Sequence, residues 1–121
     1  MYEKQINNLV TKIHNQNVIA GWWGDLHTGE PVDRNMGELL CLVHSEISEA
    51  MEGHRKDLMD DKLPHRKMLE VELADAVIRI FDIAGAYEFD LGGAIVEKLE
   101  FNKTRADHKA ENRKKEGGKA Y

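Results

Sequence analysis

The sequence predicts an all-α domain, a bundle of four helices packed antiparallel. Three observations lead there. Apolar residues recur at helical spacing in four stretches, each opened or closed by a capping or breaking residue. No stretch shows the strict alternation of a strand between turn signals. The chain has only 2 prolines and 7% aromatic residues, which suits helices better than a β-sandwich. With 121 residues, 41% hydrophobic and 32% charged, it fits one domain over 1–121, a core of about 2–108 and a polar tail from 109 to 121.

The first helix is expected over residues 2 to 20, on Ile6, Leu9, Val10, Ile13, Val18 and Ile19. AGWWGDLHTGEPVDRN then breaks the pattern with glycines at 21, 24 and 29 and Pro31, and reads as a loop. Asn35 can cap the next helix, with Glu38 three residues on as a capping-box partner. From there to about Lys56, Leu39, Leu40, Val43, Ile47, Ala50 and Met51 hold one face. DLMDDKLPH, closed by Pro64, is the second connection. Residues 66 to 87 form the most apolar helix, with an apolar arc wide enough for a central position. His65 and Arg66 at its start read as capping or surface charge. EFDLGG turns the chain, and Asp90 caps a fourth helix over roughly 91 to 108, built on Leu91, Ile95, Val96, Leu99 and Phe101. The tail ENRKKEGGKAY frays or docks on a partner subunit.

A net charge of −5 argues against a nucleic-acid polymer or an anionic membrane as partner. The single cysteine, Cys41, rules out an internal disulfide and fits a reducing cytoplasm. The N-terminus lacks the basic segment and apolar run of a signal peptide, and no apolar run is long enough to span a membrane. Such broad apolar helix faces in so short a chain call for a homo-dimer or a tetramer.

Four acids disturb the otherwise apolar helices: Glu46 and Glu49 in HSEISEAMEGHRK, Glu72 and Asp75 in EVELADAVIRIFD. At 100° per residue, Glu49 falls about 300° from Glu46, and Asp75 about 300° from Glu72. Both pairs therefore border an apolar stripe rather than facing away from it. If the two helices pack antiparallel through their apolar faces, the pairs meet at one rim of the seam. Carboxylates so placed repel one another, and their desolvation is costly unless a cation neutralises them. Oxygen donors without a thiolate select Mg²⁺ or Mn²⁺ over zinc. Open positions on such a metal suit a polyphosphate. Lys98, Asn102 and Arg105 fall within about 60° of one another on the fourth helix and could face phosphate oxygens. Each feature alone is an ordinary solvated face; together they point to a site.

These residues resemble the MazG-like all-α nucleoside triphosphate pyrophosphohydrolases, relatives of the dCTP pyrophosphatases and dimeric dUTPases. The resemblance rests on SEISE (45 to 49), EVELAD (70 to 75) and KLEFNKTR (98 to 105), and covers roughly residues 35 to 108. Ser45 stands where the family often has a further acid. The resemblance implies a Mg²⁺-dependent enzyme that cleaves a nucleoside triphosphate, a deoxynucleotide or a modified one, to monophosphate and pyrophosphate. Glu46, Glu49, Glu72 and Asp75 would hold metal, and a water would attack the α-phosphorus. Glu49 or Glu46 would double as general base. Lys98 and Arg105 would neutralise the phosphates, and Asn102 would orient them. Arg79, one turn past Asp75, would either join them or pair with the carboxylates.

For the base, Trp22 and Trp23 in the Gly-rich loop offer aromatic faces. His14 and Asn17, late in the first helix, offer hydrogen bonds, and His54 follows the first acidic pair closely. His44 and His54 otherwise read as half-buried structural histidines, and a loop tryptophan otherwise reads as a packing anchor. Two rival functions stand beside the enzyme. A carboxylate-bridged di-iron bundle needs Glu-x-x-His on two helices, and no glutamate here has a histidine three residues on. The other is a non-catalytic helical module that assembles and senses nucleotide.

Overall fold

The structure, a computed structural model, describes residues 2–105 and 109–121. It is all-helical: α1 (Tyr2–Ile19), α2 (Met36–Lys56), α3 (Met68–Ala86), α4 (Leu91–Thr104) and a one-turn α5 (Ala110–Arg113). Among the described residues, extended backbone pairs only at two isolated bridges, Gly24 with Pro31 and Met59 with Lys67. The chain divides into two compact units, Leu9–Phe89 and Met1–Asn8 together with Asp90–Tyr121.

The larger unit is built on an antiparallel hairpin of α2 and α3. Asn35 caps α2, its side chain accepting from the Glu38 N–H at 3.0 Å. Asp57 ends the helix in a left-handed conformation, φ 51°, and its N–H closes on the Gly53 and His54 carbonyls. The connection is folded tightly. The buried Asp60 carboxylate accepts from the Lys62 and Leu63 N–H groups at 3.0 and 2.8 Å, and the Met68 N–H donates to Leu58. Gly53 lets the helices approach, since a Cβ there would stand 2.8 Å from the Met68 side chain. The loop before α2 is also ordered. The Asp25 carboxylate accepts from the His27 and Thr28 N–H groups, both at 2.9 Å.

The seam between α2 and α3 departs from the expected apolar interface. The buried residues of α2 are Leu39, Glu46, Ala50 and Gly53, and those of α3 are Glu72, Ala76, Asp82, Ile83 and Ala84. Leu40, Ile47 and Met51 on α2, and Leu73, Val77 and Ile80 on α3, are exposed. The helices thus turn their small and acidic residues inward and leave the apolar arc outward. Small side chains allow the close backbone approach seen at Gly53, which bulkier residues would prevent.

In the smaller unit, Asp90 caps α4 by accepting from the Gly93 N–H at 2.9 Å. Asn7 bridges from α1, donating to Asp90 at 2.7 Å and accepting from the Gly92 N–H at 2.8 Å. Gly92 is required there, because a Cβ would collide with the Glu3 backbone. α4 ends earlier than the apolar pattern implies. The Thr104 hydroxyl donates back to the Phe101 carbonyl at 2.8 Å, and Arg105 is already extended at ψ 128°. The expected end of this helix, 106 to 108, lies outside the described residues. The tail, expected to fray or to dock on a partner subunit, contains the one-turn α5, and Arg113 Nε donates to the Lys119 carbonyl at 2.8 Å.

Candidate functional site

Glu46 from α2 and Glu72 and Asp75 from α3 bring one carboxylate oxygen each within 4.8 Å of one another. The hairpin register produces this, because Glu46 lies across from Asp75 once Gly53 lies across from Met68. Glu46 and Glu72 are each only 8% exposed. Arg79 Nε stands 3.4 Å from Glu46, so of its two expected roles the structure displays the pairing one. Glu72 Oε2 is buried and has no hydrogen-bond partner.

The electrostatics follow from this crowding. Burial, then hydrogen bonding and repulsion from Glu46 and Glu49, push the Glu72 carboxyl up to about 8. Burial, then Glu46, raises Asp75 as well, and Arg79 offsets part of that. Glu49 is exposed and stands outside the three-oxygen cluster. It faces Glu72 from the other flank, in a hollow that it shares with Glu52, Asp60 and Asp61. A buried oxygen without a partner among three carboxylates is the donor set that a hard divalent cation satisfies.

A cavity of about 360 Å³ opens beside the cluster. Its lining includes Glu46, Asp75 and Arg79, the apolar Leu39, Leu42, Ile78 and Ile83, and Asn17, Trp22, Arg34 and Asp82. Trp22 lines the cavity and is 63% exposed. Trp23 and His14 are used differently. His14 Nδ1 lies 2.8 Å from Asp82 Oδ1, and Trp23 Nε1 donates to both Asp82 oxygens at 3.0 and 3.1 Å. Gly85 admits this arrangement, because its missing Cβ is the space that the His14 side chain needs. The Arg34 guanidinium sits 5.2 Å from the centre of the Trp23 ring, and the Tyr87 hydroxyl donates to the Arg34 carbonyl at 3.3 Å.

Of the sequence-derived candidates, Glu46, Glu72, Asp75, Arg79, Asn17 and Trp22 share this locality. His54 lies in the last turn of α2, exposed and away from the cavity lining, and His44 is exposed too, so neither is the half-buried residue expected. Lys98, Asn102 and Arg105 belong to the other unit. There Lys98 covers the Phe101 ring at 4.9 Å, Asn102 has a buried Oδ1 without a partner, and Arg105 is the residue that caps α4 rather than a third helical position.

Two charged cavity residues escaped the sequence reading, Asp82 and Arg34. Asp82 was visible in principle. It lies ten residues after Glu72, at about 280° on the same wheel, in the sector of Asp75 and Arg79. Arg34 sits in a loop without periodicity, and nothing in the sequence singles it out. No family model matches the chain, and no curated protein or solved structure matches it.

Proposed function

We propose that the protein is a nucleoside triphosphate pyrophosphohydrolase that requires Mg²⁺ or Mn²⁺. The observation that carries this reading is Glu72 Oε2, buried and unpartnered between carboxylates from two helices. Without metal such a group keeps its proton at neutral pH, and a divalent cation that displaces the proton would satisfy the oxygen and offset the repulsion among the carboxylates. The adjoining cavity, with acids and Trp22 in its lining, has room for a nucleotide.

A divalent cation held by Glu46, Glu72 and Asp75 would neutralise phosphate oxygens and acidify a water nearby. The chain's own groups do the rest. Glu46 is engaged by Arg79, so Glu49, exposed beside Glu72, takes the proton from the attacking water. The water oxygen bonds to the α-phosphorus, the bond from that phosphorus to the bridging oxygen of the β-phosphate breaks, and pyrophosphate leaves. Arg79 orients Glu46 and adds positive charge at the cavity. Lys98, Asn102 and Arg105 remain phosphate contacts by their chemistry alone. Trp22 stacks on the base, and Asn17 hydrogen-bonds to it. The apolar arc of α2 and α3 is covered by a second copy of the chain, which makes the working unit a homo-oligomer, and the four long helices form one bundle within it.

The test is to incubate the protein with Mg²⁺ and a panel of canonical and modified nucleotides and to separate the products. Monophosphate and pyrophosphate are expected. Diphosphate and inorganic phosphate, or no turnover with any nucleotide in Mg²⁺ or Mn²⁺, would overturn the reading.

A further inference from the structure

Asp82 stands apart from the acidic cluster and is only 6% exposed. It makes no ion pair with lysine or arginine among the described residues; its partners are neutral or titratable N–H groups from two other elements, His14 on α1 and Trp23 in the loop. A carboxylate is an acceptor with about four lone-pair positions, and these bonds leave part of Oδ2 unused. That oxygen belongs to a side chain on the cavity wall. The hydrogen bonds fix the carboxylate from behind, as a supporting shell fixes a reading group.

The position also suits a reader of the base. Asp75 and Asp82 are seven residues apart on α3 and line the same cavity. Seven residues of helix rise about 10.5 Å, a length comparable to that of a nucleoside. With phosphates at Asp75, the base lies at Asp82. The same wall carries donors. Arg34 is held over the Trp23 ring and makes no ion pair with a carboxylate among the described residues, and Asn17 lines the same cavity.

We infer that Asp82 selects the base, its carboxylate accepting from an edge with two adjacent N–H donors, so that guanine nucleotides are the preferred substrate class. Guanine offers N1–H and the 2-amino group side by side, a bidentate match to a carboxylate. Its neighbouring O6 accepts from a donor such as Arg34 or Asn17. Uracil and thymine flank their single donor with carbonyls, which a carboxylate repels. His14 and Trp23 are positioning residues that act through Asp82.

This inference rests on the nucleotide reading of the site, and the experiment separates the two. Guanine and hypoxanthine nucleotides of one sugar differ only at C2, which carries an amino group or a hydrogen, and xanthine has a carbonyl there with a titratable N–H at N3. Binding of the three monophosphates is measured by calorimetry, and turnover of the three triphosphates by pyrophosphate release. Wild-type protein is expected to favour guanine over hypoxanthine by at least about tenfold, the loss of one hydrogen bond to a charged group. Xanthine is expected to rank last. Asp82→Asn presents an N–H to C2 and is expected to reverse the order of guanine and xanthine, with helicity by circular dichroism unchanged. Wild-type discrimination below about twofold overturns the inference, whatever the fate of the variant. An equal fall for all three bases in Asp82→Asn overturns it too, because a mere prop for His14 and Trp23 would behave so. Guanine-selective binding without pyrophosphate release overturns the proposed reaction and leaves the inference standing. No binding of any monophosphate, with no turnover, overturns both.

Discussion

Glu72 concentrates the behaviour of the site in one side chain. Its carboxyl is raised from 4.5 to about 8, so the folded protein keeps a proton that the unfolded chain has already released. In the absence of metal, stability therefore falls as pH rises through that window and levels off above it. Thermal midpoints in chelator, taken at steps between those limits, should decline, and Glu72→Gln should flatten the decline. Divalent cation should abolish it as well, and its binding at neutral pH should release protons, measurable by calorimetry in buffers of different ionisation enthalpy. Glu49→Gln should lower turnover roughly 100-fold or more while leaving the midpoint in chelator unchanged or higher, since Glu49 adds to the repulsion on Glu72. At this scale the sequence was informative where function is local. Glu46, Glu72 and Asp75 were visible because helical spacing places them on facing sectors. Asp82 shares the wheel sector of Asp75, but spacing does not disclose its role, which comes from His14 and Trp23, 68 and 59 positions away in the chain. Likewise the sequence could not decide between the two roles of Arg79, which depends on the distance to Glu46 across the hairpin.

The elements divide along the same line. Caps were legible, because Asn35 and Asp90 act on the N–H three residues ahead. The face that each helix buries was not. Of the expected apolar arc, Leu39 and Ala50 are buried, but Leu40, Ile47, Leu73 and Val77 are exposed, and Gly53 and Ala76 are buried instead. Proximity of backbones, rather than side-chain hydrophobicity, decides that interface. Gly53→Ala should accordingly destabilise the protein by about 1–3 kcal/mol in urea unfolding, even though alanine is the better helix former by about 1 kcal/mol. A gain in stability would mean that Met68 yields and that the approach is not tight. Asn35→Ala should cost about 1 kcal/mol by the same measurement.

For the whole molecule, the outward apolar arc of α2 and α3 sets the expectation. Leu40, Ile47, Met51, Leu73, Val77 and Ile80 are each at least 40% exposed, and apolar side chains left outward together mark an interface. Sedimentation should show a dimer or tetramer, and Ile47→Glu with Val77→Glu should shift it to monomer. A monomeric wild-type protein at tens of micromolar, on the order of working concentrations, would refute the oligomer. The helical class was readable from composition and periodicity, since both are properties of the chain itself. The partition into two units was not, because it depends on which residues close long loops around Asn7 and Asp90.

Because α3 carries Asp75 and Asp82 seven residues apart along one cavity, the proposed reading makes it a ruler whose two marks would do different work. Bond cleavage would be set at one mark and choice of base at the other. Descendants of this chain could then change their diet by altering residues near the second mark, leaving the scissors at the first untouched.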